Sequence, residues 1–163
     1  MIIINNSGYL KYKKIKFRCS LGKAGINKKK REGDNITPKG IYKIIKIYYR
    51  QDKIKKISSK FELIKITKSI GWCDDPKSSF YNQEIKTPFK YGHEKFFKKN
   101  DIYDLILVLN YNMSPTIKFK GSAIFIHVAK KNYKPTAGCI GLKKKNLINL
   151  VSKINIEEKV IIQ

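Results

Sequence analysis

Gly121-Ser-Ala-Ile-Phe-Ile-His-Val-Ala-Lys-Lys-Asn-Tyr-Lys-Pro-Thr-Ala-Gly-Cys-Ile-Gly-Leu142 is the stretch that decides how this chain is read. Its first part, Ser122 to Val128, is a short apolar run of strand character that delivers His127 near its end. Twelve positions on, behind Pro135 and Gly138, stands Cys139. A thiol and an imidazole brought together are the minimum for nucleophilic catalysis: the thiolate attacks, and the imidazole takes and returns the proton. Gly138 adds a backbone free to turn N–H groups toward a developing negative charge. Taken singly, the residues keep plainer readings open. His127 reads equally well as a hydrogen-bonded core histidine, and a lone Cys in apolar surroundings is usually a small buried hydrophobe.

Outward from this stretch the pattern is mostly β. Leu105 to Leu109, Leu-Ile-Leu-Val-Leu, is too short for a typical helix and reads as a strand buried on both faces. Residues 139 to 142 begin another short strand or turn. Beyond them Leu147, Leu150, Val151 and Ile154 recur at helical spacing, which predicts an amphipathic helix over 144 to 154. Val160 to Ile162 closes the chain as a strand. Toward the N-terminus, Ile15, Phe17 and Cys19 alternate in a half-exposed strand, and Thr37-Pro38-Lys39-Gly40 breaks the chain before a strand from Ile41 to Arg50. Residues 28 to 34 read as a solvated basic loop, and Phe61 to Thr67 as a further strand.

From Ser69 to Asn100 no period survives, although Trp72, Phe80, Tyr81, Phe89, Tyr91, Phe96 and Phe97 crowd it. A long irregular segment in a compact domain packs on itself or covers a site, so these aromatics read either as local core or as a wall beside a cleft. No repeat or linker divides the chain, and residues 1 to 163 are expected to form one mostly β (α+β) domain.

The arrangement of His127, Thr136, Gly138, Cys139, Ile140 and Leu142 resembles the signature of the L,D-transpeptidase catalytic domain, the YkuD-like family. Ala137 stands where many members carry a second histidine. Glu32-Gly33-Asp34 with Thr37-Pro38-Lys39-Gly40 resembles a further family segment, and Gly71-Trp72-Cys73-Asp74-Asp75-Pro76 and Gly92-His93-Glu94 resemble those of one bacterial branch. The resemblance implies a twisted β-sandwich with a C-terminal amphipathic helix. It also implies acyl transfer on peptidoglycan stem peptides through a Cys139 thioester, with His127 as proton donor and acceptor. Gly138, Ala137 and Thr136 would then form or orient the oxyanion site, with His93, Trp72 and Ser122 as candidates for the substrate cleft. No cofactor or metal is implied. The motif does not separate an amine acceptor from water, so an L,D-carboxypeptidase or amidase stays open beside the transpeptidase.

Composition supplies the competing class. Lys and Arg number 36 against 12 Asp and Glu, a net charge of +24 that suits a polyanionic partner or a basic binding module on the same fold. Yet Arg occurs only at 18, 31 and 50, and it is Arg that reads phosphates and bases bidentately, which argues against specific nucleic-acid recognition. Cys19, Cys73 and Cys139 cannot all pair within one chain, so at least one free thiol is expected. His93, His127, Cys73 and Cys139 lack the closely spaced pairs of a structural zinc site. The first ten residues lack the charged start, apolar run and cleavage site of a signal peptide, and no stretch is long enough to span a bilayer. Localisation is therefore left open, with a periplasmic or wall-facing site expected if the protein is exported.

Overall fold

A computed structural model describes residues 1–163. The chain begins with strands β1 (Ile2–Asn5), β2 (Tyr9–Tyr12) and β3 (Ile15–Ser20), followed by the two-residue β4 (Ile26–Asn27) and β5 (Thr37–Pro38). The long β6 (Gly40–Tyr49) and short β7 (Leu63–Lys65) come next, then β8 (Ile70–Cys73), β9 (Glu84–Lys86) and β10 (His93–Lys95). The C-terminal third holds β11 (Leu105–Leu109), β12 (Phe125–Val128), β13 (Ile140–Leu142), the helix α1 (Lys144–Val151) and β14 (Lys159–Ile162).

The main sheet runs β11-β12-β13-β3-β2-β1-β14-β6-β7, and β6 also pairs with β11, so the sheet closes on itself in a barrel-like form. Closure leaves only the three-residue β7, paired on one side to β6, as a free edge of this sheet. Three of its pairings are parallel, β1 with β14, β6 with β7 and β12 with β13, and each brings together segments that are apart in the chain.

Strand alternation sorts the side chains into two cores. Leu105, Leu107 and Leu109 of β11 join Ile126, Val128, Ile140, Leu142 and the buried face of α1 in the larger one. Ile106 and Val108 point the other way, into an aromatic cluster with Tyr48, Trp72, Phe96, Tyr103 and Phe125. All five residues of β11 are fully buried, as a strand with apolar side chains on both faces requires. The mostly β class is therefore as expected from the alternating runs.

The irregular segment of the sequence reading holds a separate three-stranded sheet, β10-β8-β9. Its strands are three or four residues long, too short to show a period, and they are held by pairings across 12 to 24 positions such as Trp72 with Glu84 and Lys95 with Gly71. This small sheet supplies Trp72 and Phe96 to the aromatic core, where both stack on or against Phe125 and each other. Thus Trp72 and Phe96 are core, whereas Phe80 is exposed and Phe89 and Tyr91 are half-buried, and the neighbouring Asp74 and Glu94 line the cavity described below.

The helix α1 ends at Val151 rather than continuing to 154. The Leu150 carbonyl accepts from both the Lys153 and the Ile154 N–H groups, so the chain tightens past the helix end in a last turn that keeps Ile154 buried. A 2.7 Å ion pair from Lys144 to the buried Asp104 ties the first turn of α1 to the start of β11.

Because β11 is packed on both faces, shortening it should cost more than a typical core truncation of an edge strand. Leu107→Ala is expected to destabilise the fold by about 2–5 kcal/mol, measured as a lower midpoint in urea unfolding with an unchanged slope.

Candidate active site

The parallel register of β12 on β13 pairs Ile126 with Ile140, which places Cys139, one residue before β13, beside Phe125. Side chains alternate along a strand, so Phe125 and His127 share the face that Cys139 also occupies. That face is the aromatic one: Phe125 belongs to its cluster, Cys139 packs against it, and the Tyr103 ring meets the His127 ring edge-on at 5.6 Å. His127 and Cys139 line one cavity of ≈ 260 Å³.

The thiol is held by backbone. The Cys139 Sγ–H donates to the Ala123 carbonyl at 3.1 Å, and the Phe125 N–H donates to Sγ at 3.4 Å. Ala123 is in turn pinned by Asn82, whose Oδ1 accepts from the Ala123 N–H at 3.0 Å and from the Trp72 indole N–H at 3.1 Å. The Asn82 amide donates onward to the Tyr111 and Asn112 carbonyls. This buried amide uses both its donors and doubles its acceptor, so it fixes the loop on which the thiol rests.

The turn before Cys139 is equally determined. The Thr136 hydroxyl donates to the Cys139 carbonyl at 2.6 Å and accepts from the Gly138 N–H at 3.1 Å. Gly138 has φ of +141°, and a Cβ there would lie 2.8 Å from the Ile36 carbonyl, so only glycine fits. The Gly138 N–H is thus engaged within the turn, whereas the N–H groups of Ala137 and Cys139 make no hydrogen bond within the chain. Thr136 is also bridged to Gly22, through its own N–H to Leu21 and the Lys23 N–H to its carbonyl.

His127 is 4% exposed. Its Nδ1 lies 2.8 Å from the Val128 carbonyl, a bond that requires the proton on Nδ1 and leaves Nε2 as a lone pair. Burial lowers its pKa to about 4, with the Val128 carbonyl acting in the opposite sense. Burial also pushes the Cys139 thiol up to about 12, only partly offset by the Phe125 N–H. Burial thus favours the neutral form of each group, and the sulfur's hydrogen-bond partners are the Ala123 carbonyl and the Phe125 N–H rather than the imidazole.

The other expected site residues divide. Thr136, Ala137 and Ser122 line the cavity. Trp72 does not; it is buried in the aromatic core beneath, and its indole holds Asn82. His93 does not line it either: its Nδ1 bonds the Tyr91 carbonyl and its ring meets Phe89. Cys19 and Cys73 are free, buried thiols. No three His, Cys, Asp or Glu side chains converge in a metal-holding arrangement.

Sequence reasoning missed most of the charged lining. Glu32, Asp74 and Glu94 come from three separate segments and meet Lys29, Lys98 and Lys130 around the cavity. The Glu32 carboxylate accepts from the Ser122 hydroxyl at 2.7 Å and from the Tyr81 hydroxyl, closing the wall over Gly121 to Ala123. The signal available was that these acidic residues are scarce in a lysine-rich chain and fall within the segments of family resemblance.

Fold and cavity together describe a mostly β catalytic-domain architecture centred on one polar pocket. The chain belongs to the YkuD family, the L,D-transpeptidase catalytic domain, whose model matches residues 1–162. No curated protein matches it.

Two measurements follow from the resting neutral pair. Alkylation of Cys139 by iodoacetamide should keep climbing about tenfold per pH unit past pH 9, where an ordinary thiol levels off, with Cys139→Ala removing the reaction. For His127 the unfolded state binds the proton more tightly, so stability is full above pH 6.5 and is lost as pH falls toward about 4. The loss should approach roughly 3 kcal/mol, and His127→Gln should flatten that part of the stability profile in urea titrations.

Proposed function

We propose that this chain is a cysteine acyltransferase acting on peptidoglycan stem peptides, with residues 1 to 163 as one catalytic domain. The observation that carries the reading is the shared placement of His127 and Cys139 on one face of the parallel β12–β13 pair, at one cavity. The same reading takes the barrel-like sheet as the twisted sandwich of the family and α1 as its amphipathic C-terminal helix.

In the first half-reaction the Cys139 thiol leaves its bond to the Ala123 carbonyl and passes its proton to His127 Nε2 as sulfur attacks the carbonyl of the diaminoacid at the third stem position. The lone pair on Nε2 and the proton on Nδ1 are the tautomer this step needs. The carbonyl oxygen becomes an oxyanion, received by the free N–H groups of Cys139 and Ala137. Thr136 and Gly138 hold the turn in the shape that presents them. The tetrahedral intermediate collapses by breaking the bond to the terminal D-alanine, whose amine takes the proton from His127. A thioester remains on Cys139.

In the second half-reaction an amine attacks the thioester, His127 accepts its proton, and the thiolate leaves and is reprotonated. A thiol pushed up by burial is a poor resting nucleophile, which limits oxidation and alkylation until a carbonyl and its base are aligned. The net charge of +24 suits an anionic wall polymer.

Intact mass after incubation with a carbapenem tests this reading. A single adduct is expected on the wild type, absent from Cys139→Ala and formed roughly a hundredfold or more slowly by His127→Ala. A folded wild type that forms no adduct, with Cys139 still open to iodoacetamide, would overturn it.

A further inference from the structure

The cavity is unusual for its charge. In a chain with 36 Lys and Arg against 12 Asp and Glu, its lining holds three carboxylates and three ammonium groups, a local enrichment in acid. Two of the lysines are already neutralised: Lys29 by Asp34 at 2.6 Å, both nearly buried, and Lys98 by Glu94 at 2.9 Å. Glu32 is held by two neutral hydroxyls. Asp74 is different. It is half-buried at the cavity wall, and no cation pairs with it. Its backbone is fixed, with its N–H on the Gly92 carbonyl and the neighbouring β8 strand locked to β10.

Asp74 shares its cavity with the base of the proposed reaction. His127, 4% exposed, lines the same cavity with its Nε2 lacking any partner in the chain. That nitrogen is open to the cavity rather than sealed within the core, so a ligand entering here meets it together with Asp74.

We propose that Asp74 is the specificity-determining residue of this site, receiving a primary ammonium on the side chain of the acyl-donor residue whose carbonyl Cys139 attacks. This inference rests on the acyltransfer reading and adds to it the group that is recognised. An unpaired carboxylate in a half-dry cavity gains most from a charged partner that brings its own donors, and an ammonium supplies three. A neutral or anionic side chain would leave Asp74 desolvated and unpaired, so the site selects by penalty as well as by attraction. The electrostatics agree: burial, and then the nearby Glu94 and Glu32 carboxylates, raise the pKa of Asp74, and a bound cation would relieve each of these.

The test measures binding apart from turnover. Full-length Cys139→Ala protein is titrated calorimetrically with a stem tetrapeptide carrying a free side-chain amine and with the same peptide acetylated at that amine, at low and moderate salt. The free amine is expected to bind on the order of tenfold or more tightly than the acetylated form, and the preference should vanish in Cys139→Ala/Asp74→Asn. The acetylated ligand makes the comparison even if the double variant folds poorly. Equal affinity for the two peptides, a preference that survives Asp74→Asn, or no binding of either peptide would each overturn the assignment. The carbapenem adduct on wild type reports on the acyltransfer reading separately, since its chemistry at Cys139 needs no ammonium.

Discussion

Parallel pairing of β12 and β13 is the constraint on which the rest depends. Two parallel neighbours require a return connection, and the loop from Ala129 to Cys139 makes it, carrying the chain back to the start of β13. That return puts Cys139 beside Phe125 although fourteen positions separate them, and strand alternation then sets His127 on the same face. A one-residue slip would turn His127 into the aliphatic core and Ile126 onto the cavity. The register is held against such a slip by the two cores. Ile126, Val128, Ile140 and Leu142 fill the aliphatic side, and Phe125 the aromatic side.

Burial on that aromatic face also sets the chemistry. Tyr103, Phe125 and the rings beneath bury the imidazole and back the partly exposed thiol, which favours the neutral form of each. Their reactivity is governed instead by hydrogen bonds of fixed direction: the Val128 carbonyl on Nδ1, and the Ala123 carbonyl and Phe125 N–H on sulfur. The acidic side chains at the cavity complement this. They come from the loop before β5 and from the small sheet β10-β8-β9, elements that do not belong to the closed sheet. The closed sheet positions the nucleophile, and the added segments determine what it meets.

Much of this was legible in the residues. Unbroken apolar runs announce β11, and the spacing of Leu147, Leu150 and Val151 announces α1, because both depend on local periodicity. The Pro-Thr-Ala-Gly-Cys turn announces itself as well, since Pro135 and Gly138 restrict the backbone in ways few other residues do. The strands β8, β9 and β10 were hidden because three or four residues cannot display a period. Trp72 and His93 were read toward the cleft from their segments. Trp72 instead supports Asn82, a buried residue at φ +59° that carries no sequence signal of its importance.

The sequence by itself determined the mostly β class, the family and the pair His127 and Cys139, because each of these is written in short-range pattern or in the identity of single residues. Only the tertiary structure decided that Glu32, Asp74 and Glu94 share a cavity with that pair, and that the Gly138 N–H is already spent on Thr136. The physical reason is that strand pairing is long-range. Which residues face one another across a closed sheet depends on register and on which core each face can fill, and neither is encoded in any contiguous stretch of the chain.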